Sequence, residues 1–396
     1  MDDAADLKLL AQLVHRGALD RATAEALLRE AQATRRKPLD VAVAKGCFTR
    51  ERLEFLRRVE GEDVPELPGL EMVGIAGRGG TAVVLRARER KSGRDVAVKV
   101  LRRELEGDAK ARAAFLREAK LLISLRHENV VAGEKVGTVG GRLLFLQEFV
   151  DGRSLLDLIK EGKAFGEDAA LYIVLQVARA LRYLAANGVV HRDVKPANVL
   201  ITARNEIKLI DLGFASSMGE APPADGGAGG APEGADEAAP AATTVGTVAY
   251  ISPEQARGQS DLDVRSDIYS LGATLYQLVV GELPFSGQDN QEVLAAQILA
   301  SLSSEVLKSR RISPHMHYFI EKMMAKEREV RYQTPDELIA DIEEQIRGKK
   351  SAEYRPDGAA DPGQPFEELP FEELPPGAKG PVRKPIVPLV RRKRPR

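Results

Sequence analysis

The chain has 396 residues, and its 58 Lys and Arg against 59 Asp and Glu leave a formal net charge of −1. At roughly 150 residues per domain this length allows two or three domains, and near-neutrality excludes a dedicated nucleic-acid binder, which carries a large basic excess. A hydrophobic fraction of 43% suffices for a sizeable core, while the single cysteine, Cys47, excludes an internal disulfide framework and any multi-cysteine metal site. That cysteine usage points to a reducing, cytoplasmic compartment. No run reaches the ~18 to 20 apolar residues of a membrane span, and the acidic residues 1–6 lack the basic opening of a secretory signal.

Residues 1–62 have helical periodicity. Leu9, Leu10, Leu13 and Val14 make one apolar face, Gly17 suits a helix stop, Asp20 suits the next N-cap, and Leu27 and Leu28 continue the pattern. A shift of 29 residues lays Leu10 on Leu39, Val14 on Val43, Gly17 on Gly46 and Asp20 on Thr49. Both halves thus read helix, glycine, cap, helix, and two such hairpins can pack into a small all-α domain. Residues 63–68, with Pro65 and Pro68, form a linker. Strands are then expected at 70–75, 82–88 and 95–101, a helix at 109–125, and two strands at 134–139 and 143–150 around Gly140-Gly141. Beyond Ser154 the chain is mainly helical, so the order predicts an α+β architecture in two lobes.

Residues 219–242 contain only Gly, Ala, Pro, Glu and Asp, with five acids (Glu220, Asp225, Glu233, Asp236, Glu237) and no base. Such a composition buries too little apolar surface to offset ordering entropy, so this insertion is expected to be disordered. The same expectation holds for the tail at 348–396. It is Pro-rich, repeats Pro-Phe-Glu-Glu-Leu at 365–369 and 370–374, and has eight Lys or Arg and no acid over 379–396.

Gly77-Arg78-Gly79-Gly80-Thr81-Ala82 lies between two expected strands, where glycines let a turn fold closely over phosphates. Val96-Ala97-Val98-Lys99 places a lysine on an alternating strand, and Glu118 on the following helix can pair with it. The run His191-Arg192-Asp193-Val194-Lys195-Pro196-Ala197-Asn198-Val199-Leu200 precedes Asp211-Leu212-Gly213. Two acids and an asparagine on adjacent loops are oxygen ligands suited to Mg²⁺, with one acid left to orient a hydroxyl.

On these runs, together with residues 246–258 and 266–272, residues 69–347 resemble a bacterial eukaryotic-like (Hanks-type) serine/threonine protein kinase. The resemblance implies the bilobal protein-kinase fold, with a β-rich N-lobe and an α-rich C-lobe. It also implies transfer of the γ-phosphoryl of ATP, with Mg²⁺, to Ser or Thr of protein substrates. In that reading Gly77, Arg78, Gly79 and Gly80 cover the phosphates, and Lys99, held by Glu118, contacts them. Val84, Ala97 and Leu200 sandwich adenine, with backbone groups of Glu148 and Val150 beside it. Asn198 and Asp211 hold the metal, Asp193 accepts the hydroxyl proton, and Lys195 sits near the transferred group. Arg192 would pair with a phosphate on Thr243 or Thr244 after autophosphorylation, for which two copies could meet as a homodimer, and Thr247 would seat the substrate. Glu254 with Arg331, and Asp267, are expected to be architectural. Ala82 replaces the third glycine of the loop, Leu212 replaces the usual phenylalanine, and Gln147 takes a gatekeeper position usually apolar.

The flanks leave alternatives open. Residues 1–62 loosely resemble the small helical N-terminal domain of type II secretion and pilus-assembly ATPases, which implies a module for docking or sensing; the alternative is a helical extension packed on the kinase. The insertion is either a regulatory brake or a tolerated surface loop. The tail is a linker or a docking element for acidic partners. It has no aromatic residue over 379–396 to stack bases, and its prolines break a membrane helix, so neither specific nucleic acid nor a membrane is expected as partner.

Overall fold

The structure is a computed structural model describing residues 3–15, 19–58, 65, 67–217, 248–302, 312–353 and 371–372. The chain divides into two units, one of residues 1–126 with 131–150, the other of residues 127–130 with 151–396.

The first unit is built on an antiparallel five-stranded sheet. Its strands are β1 (Leu70–Arg78), β2 (Ala82–Glu89), β3 (Asp95–Leu101), β4 (Gly133–Val139) and β5 (Arg142–Glu148), in the order β1-β2-β3-β5-β4. Among the described residues, five α-helices belong to the same unit: α1 (Asp3–His15), α2 (Arg21–Thr34), α3 (Pro38–Ala44), α4 (Arg50–Arg58) and α5 (Ala109–Ser124). The helix starts and stops follow local chemistry. Asp20 caps α2 by accepting the Thr23 N–H at 2.8 Å, Pro38 opens α3, and Gly46 leaves it with φ 71°. Gly17 lies outside the described residues.

Side chains on β3 alternate between two faces. Ala97 and Lys99 point to the face shared with Phe145, whose ring packs 5.2 Å from Phe115 of α5. Val96, Val98 and Val100 point the other way and are buried with Leu144 and Leu146 of β5 and Leu85 and Ala87 of β2. That face shares one continuous core with Leu10, Leu27, Leu39 and Leu56 of the first four helices. The sheet is therefore covered on both faces, and α1–α4 are a layer of this unit. Thr49, ahead of α4, donates its N–H and Oγ1 to Glu71 of β1 at 3.0 and 3.1 Å, and Arg52 Nη1 donates to Met72 O at 2.7 Å. Cys47 is half-buried at the margin of the same core.

The second unit is mainly helical: α6 (Leu155–Lys160), α7 (Glu167–Ala186), α8 (Pro253–Ala256), α9 (Val264–Val280), α10 (Asn290–Leu299), α11 (Pro314–Met323) and α12 (Pro335–Glu353). Every residue of α9 except Arg265 is buried, as expected of a helix apolar around most of its circumference. Helix α7 is long and apolar enough to cross a membrane, but two thirds of that stretch (67%) is buried, as in the core helix of a folded unit. Short ladders complete the unit. β6 (Gly152–Ser154) and β10 (Ile207–Leu209) flank β9 (Val199–Thr202), β8 (Val189–Val190) pairs β11 (Ser216–Ser217), and β7 (Ala164–Phe165) pairs β12 (Phe371–Glu372). Glu254 and Arg331 form the expected buried ion pair, bidentate at 2.7 and 2.9 Å.

Candidate active site

The site residues fall into two sets, one in each unit. In the first, β1 and β2 meet in a tight turn in which the Gly79 N–H donates to Ala82 O at 2.9 Å and Arg102 Nε donates to Gly79 O at 2.9 Å. Gly77 pairs with Val84 and Arg78 with Val83 across this hairpin. A Cβ added at Gly80 would meet nothing within 4 Å, so the loop tip has open space above it. Ala82, in place of a third glycine, is buried at the start of β2.

Lys99 Nζ lies 2.6 Å from Glu118 Oε1, with side-chain exposures of 12% and 6%, so the pairing expected from sequence is formed and largely desolvated. Phe145 lies beneath it, its ring centroid 5.8 Å from Nζ. Ala97 is buried and Val84 half-buried on the same sheet. Gln147 sits opposite Ala97 in register. The Glu148 N–H donates to Ala132 O at 2.8 Å, and Val150 follows β5 half-buried.

In the second unit the loop 191–198 converges on Asp193. Lys195 Nζ is 2.8 Å from Asp193 Oδ2, and Asn198 Nδ2 donates to both Asp193 O and Oδ2 at 2.8 Å. Burial pushes the Asp193 carboxyl up; the Lys195 ammonium pulls against this, the Asp211 charge adds to it, and the Asn198 hydrogen bond opposes it. The net direction is upward, toward a group able to hold a proton. Leu200 is half-buried on β9, opposite Lys208.

Two strained positions frame this loop. Arg192 and Asp211 both have φ 66°, a left-handed backbone that costs about 1–3 kcal/mol for such residues. The structure restrains Arg192 from both sides. Buried Asp267 accepts the N–H groups of His191 and Arg192 at 2.8 and 2.7 Å, and Gln255 Nε2 donates to Arg192 O at 2.9 Å. Burial holds His191 neutral, its pKa lowered to about 4, and its Nδ1 accepts the Asp193 N–H at 3.2 Å. At Asp211 the Gly213 N–H donates to Oδ1 at 3.2 Å, and the Ile210 N–H donates to Asn198 O at 2.9 Å, which ties the two loops together.

The donors fit magnesium. Asp211 offers a carboxylate, and Asn198, whose Nδ2 is turned to Asp193, offers its amide oxygen. Among the described residues no group of three or more His, Cys, Asp or Glu could hold a metal alone. That suits Mg²⁺, which takes one or two protein carboxylates and completes its shell with phosphate oxygens and water.

Sequence reasoning placed these residues and the Asp267 brace, which accepts the His191 and Arg192 N–H groups, but missed the other supports. Gln255 was part of a matching run with no role assigned; its spacing from Ser252 is a capping-box signal, and that box is formed. Asn129, which donates to Gln176 Oε1 and Ile207 O at 2.9 Å each, had no local signal because its partners are distant in the chain. His127 is stacked on Tyr183, their ring centroids 5.0 Å apart. Thr243, Thr244, Thr247 and the insertion 219–242 lie outside the described residues.

Residues 70–341 match the protein kinase domain family. A serine/threonine-protein kinase PknB of Mycobacterium leprae is 36% identical over 276 residues, which is 69% of this chain and 42% of the relative. A probable serine/threonine-protein kinase of Streptomyces coelicolor is 34% identical over 283 residues, 70% of this chain and 40% of the relative. One of Clostridium perfringens is 35% identical over 273 residues, 69% of this chain and 38% of the relative. The chain thus spans less than half the length of the curated relatives it matches, and its first 69 residues lie outside the family match.

Proposed function

This chain belongs to the protein kinase family, and from that premise we propose that it transfers the γ-phosphoryl group of ATP to serine or threonine hydroxyls of proteins. The observation that carries the reading is the Asp193, Lys195 and Asn198 cluster, closed by contacts of 2.8 Å and braced by Asp267. Asp193, raised by burial, orients the incoming hydroxyl and takes its proton as the oxygen attacks. Lys195 offsets charge beside that oxygen. A lysine at this position accompanies Ser/Thr substrates in the family the sequence resembles, and the relatives' names agree. Bound between Asn198 and Asp211, magnesium would supply charge neutralisation on the phosphate oxygens. Lys99, fixed by Glu118, holds the nucleotide's phosphates, and the loop at Gly77, Arg78, Gly79 and Gly80 covers them. Val84, Ala97 and Leu200 supply the apolar contacts to adenine.

Thr243 and Thr244 are the proposed sites of autophosphorylation between two copies, with Arg192 as the receiving cation. Residues 69–347 carry the catalysis. Residues 1–62 are a docking or sensing layer whose likeness to the N-terminal domain of secretion ATPases rests on the helix, glycine, cap, helix repeat. The tail 348–396 contacts protein partners through its acidic-apolar repeats and basic end.

The test is incubation of the full chain with ATP and Mg²⁺, followed by phosphosite mapping. Asp193→Asn should keep its fold and lose on the order of 10²–10⁴ in rate, the worth of a positioned general base. Equal labelling of the variant and the parent would reject Asp193 as the base.

A further inference from the structure

We propose that Gly133 is a positioning residue: by lacking a Cβ it lets the backbone of α5 seat against β4, and so sets the Glu118 carboxylate at Lys99. This rests on the kinase reading above, in which that pair holds the nucleotide.

The argument is one of space. Gly133 opens β4 and is buried. Its φ is not in the left-handed region, so backbone conformation does not require a glycine there. A Cβ would lie 2.7 Å from Ile123 N, 2.7 Å from Leu122 C and 2.9 Å from Leu122 Cβ. These are backbone and near-backbone atoms of α5, not the end of a side chain that can swing away. Ordinary contact begins at 3.4 Å, so the helix would have to retreat by about 0.7 Å. Leu122 stands one turn beyond Glu118 on the same face, and Glu118, Ala119 and Leu122 are all buried. A packed helix moves as a body, so a displacement at Leu122 carries to Glu118. The Lys99–Glu118 contact is 2.6 Å. A comparable retreat takes it beyond the ~2.7–2.9 Å of a strong charge-assisted bond.

The same strand supplies its own control. Gly137 also lies in β4, and a Cβ there would meet nothing within 4 Å. Alanine at 137 therefore tests the loss of a strand glycine without touching α5.

The experiment uses the full chain as wild type, Gly133→Ala, Gly137→Ala, Glu118→Gln and the Gly133→Ala/Glu118→Gln double variant. The readouts are kcat and KM for ATP, affinity for a fluorescent ADP analogue, and near-ultraviolet circular dichroism. Gly133→Ala should remain folded and lose about tenfold or more in kcat/KM for ATP, while Gly137→Ala stays within about twofold of wild type. Added to Glu118→Gln, Gly133→Ala should cost less than about twofold, because the pair it disturbs is already gone. Wild-type kinetics in Gly133→Ala, the full tenfold loss recurring in the Glu118→Gln background, or failure of Gly133→Ala to fold would each overturn the proposal. A wild type that binds nucleotide but transfers no phosphoryl group overturns the kinase reading alone, since nucleotide affinity still reports on the pair. A wild type that binds none overturns both.

Discussion

Asp267 and His191 meet at one backbone junction and titrate in opposite directions. Burial lowers His191 to about 4, against about 6.5 for a free histidine. Between those values the unfolded chain binds the extra proton, so this group's contribution falls as pH drops from 6.5 toward 4. Burial raises Asp267 from 3.8 to about 7, against the pull of the His191 and Arg192 N–H groups and the Arg192 charge. Across that window the folded chain binds the extra proton, so its contribution falls as pH rises through 7. Over roughly pH 4–6.5 the two slopes cancel. Removing one should unmask the other. Asp267→Asn should lose stability relative to wild type as pH falls from 6.5 to 4.5, by up to about 1.4 kcal/mol per unit. Urea unfolding of both proteins across that range measures it, and parallel profiles would contradict the account.

Elements in this protein are joined by a few side chains that bridge them. Glu71 of β1 lies at the N-terminus of α4 and accepts the Thr49 N–H at 3.0 Å, where a carboxylate also meets the positive end of the helix. Glu71→Ala should cost about 0.5–2 kcal/mol, the range of a lost cap, and Glu71→Gln, which keeps an acceptor oxygen, should cost less. Denaturant titration separates the two; equal stability of Glu71→Ala and wild type would remove α4 from the account of β1. The pair of Glu254 and Arg331, with side chains 2% and 0% exposed, is a stronger bridge. Its burial opposes the Glu254 charge, and the hydrogen bonds and charge of Arg331 outweigh that, leaving the carboxyl low. Arg331→Met would strand a buried carboxylate and should cost about 3–5 kcal/mol. A calorimetric melt within 1 °C of wild type would be incompatible with that.

What the sequence made legible at this scale was local. A period of 2 set Lys99 on β3, and a period of 3.6 set Glu118 on α5 and α2 behind the Asp20 cap. The runs at 191–200 and 211–213 carried the remaining site residues. Glu71, Arg52, Gln255 and Gly133 were not legible, because each acts on a partner brought near only by folding. Besides the capping-box spacing of Ser252 and Gln255, a further signal was present and unused. Val96, Val98 and Val100 make the second face of β3 wholly apolar, and a sheet face of that kind needs a cover of its own.

That second cover decides how the whole molecule should respond to truncation. If residues 1–60 were a separate module on a linker, their removal would leave the sheet as it is. The shared core argues otherwise: Met72, Leu85, Val96, Val98, Val100, Leu144 and Leu146 belong to the same buried cluster as Leu10, Leu27, Leu39 and Leu56. Fully burying one Val or Leu is worth about 1.5–3 kcal/mol, so baring four of them removes as much as the entire ~5–15 kcal/mol that holds a typical domain folded. A contiguous apolar face of that kind is also an aggregation site. The chain beginning at residue 61 should therefore be insoluble, or bind a hydrophobic dye and show no cooperative melt. Leu56→Asp in the full chain, which places a charge in the shared core without removing any helix, should do the same. Nucleotide affinity should fall with the fold in both, because β1 and β2, which carry the glycine loop, form the sheet that the helices cover. A truncated chain that melts at the wild-type temperature and binds nucleotide as well as the parent would make α1–α4 an accessory after all. The opposite result would mean that any partner docking on these helices acts on the same folded body as the Lys99–Glu118 pair.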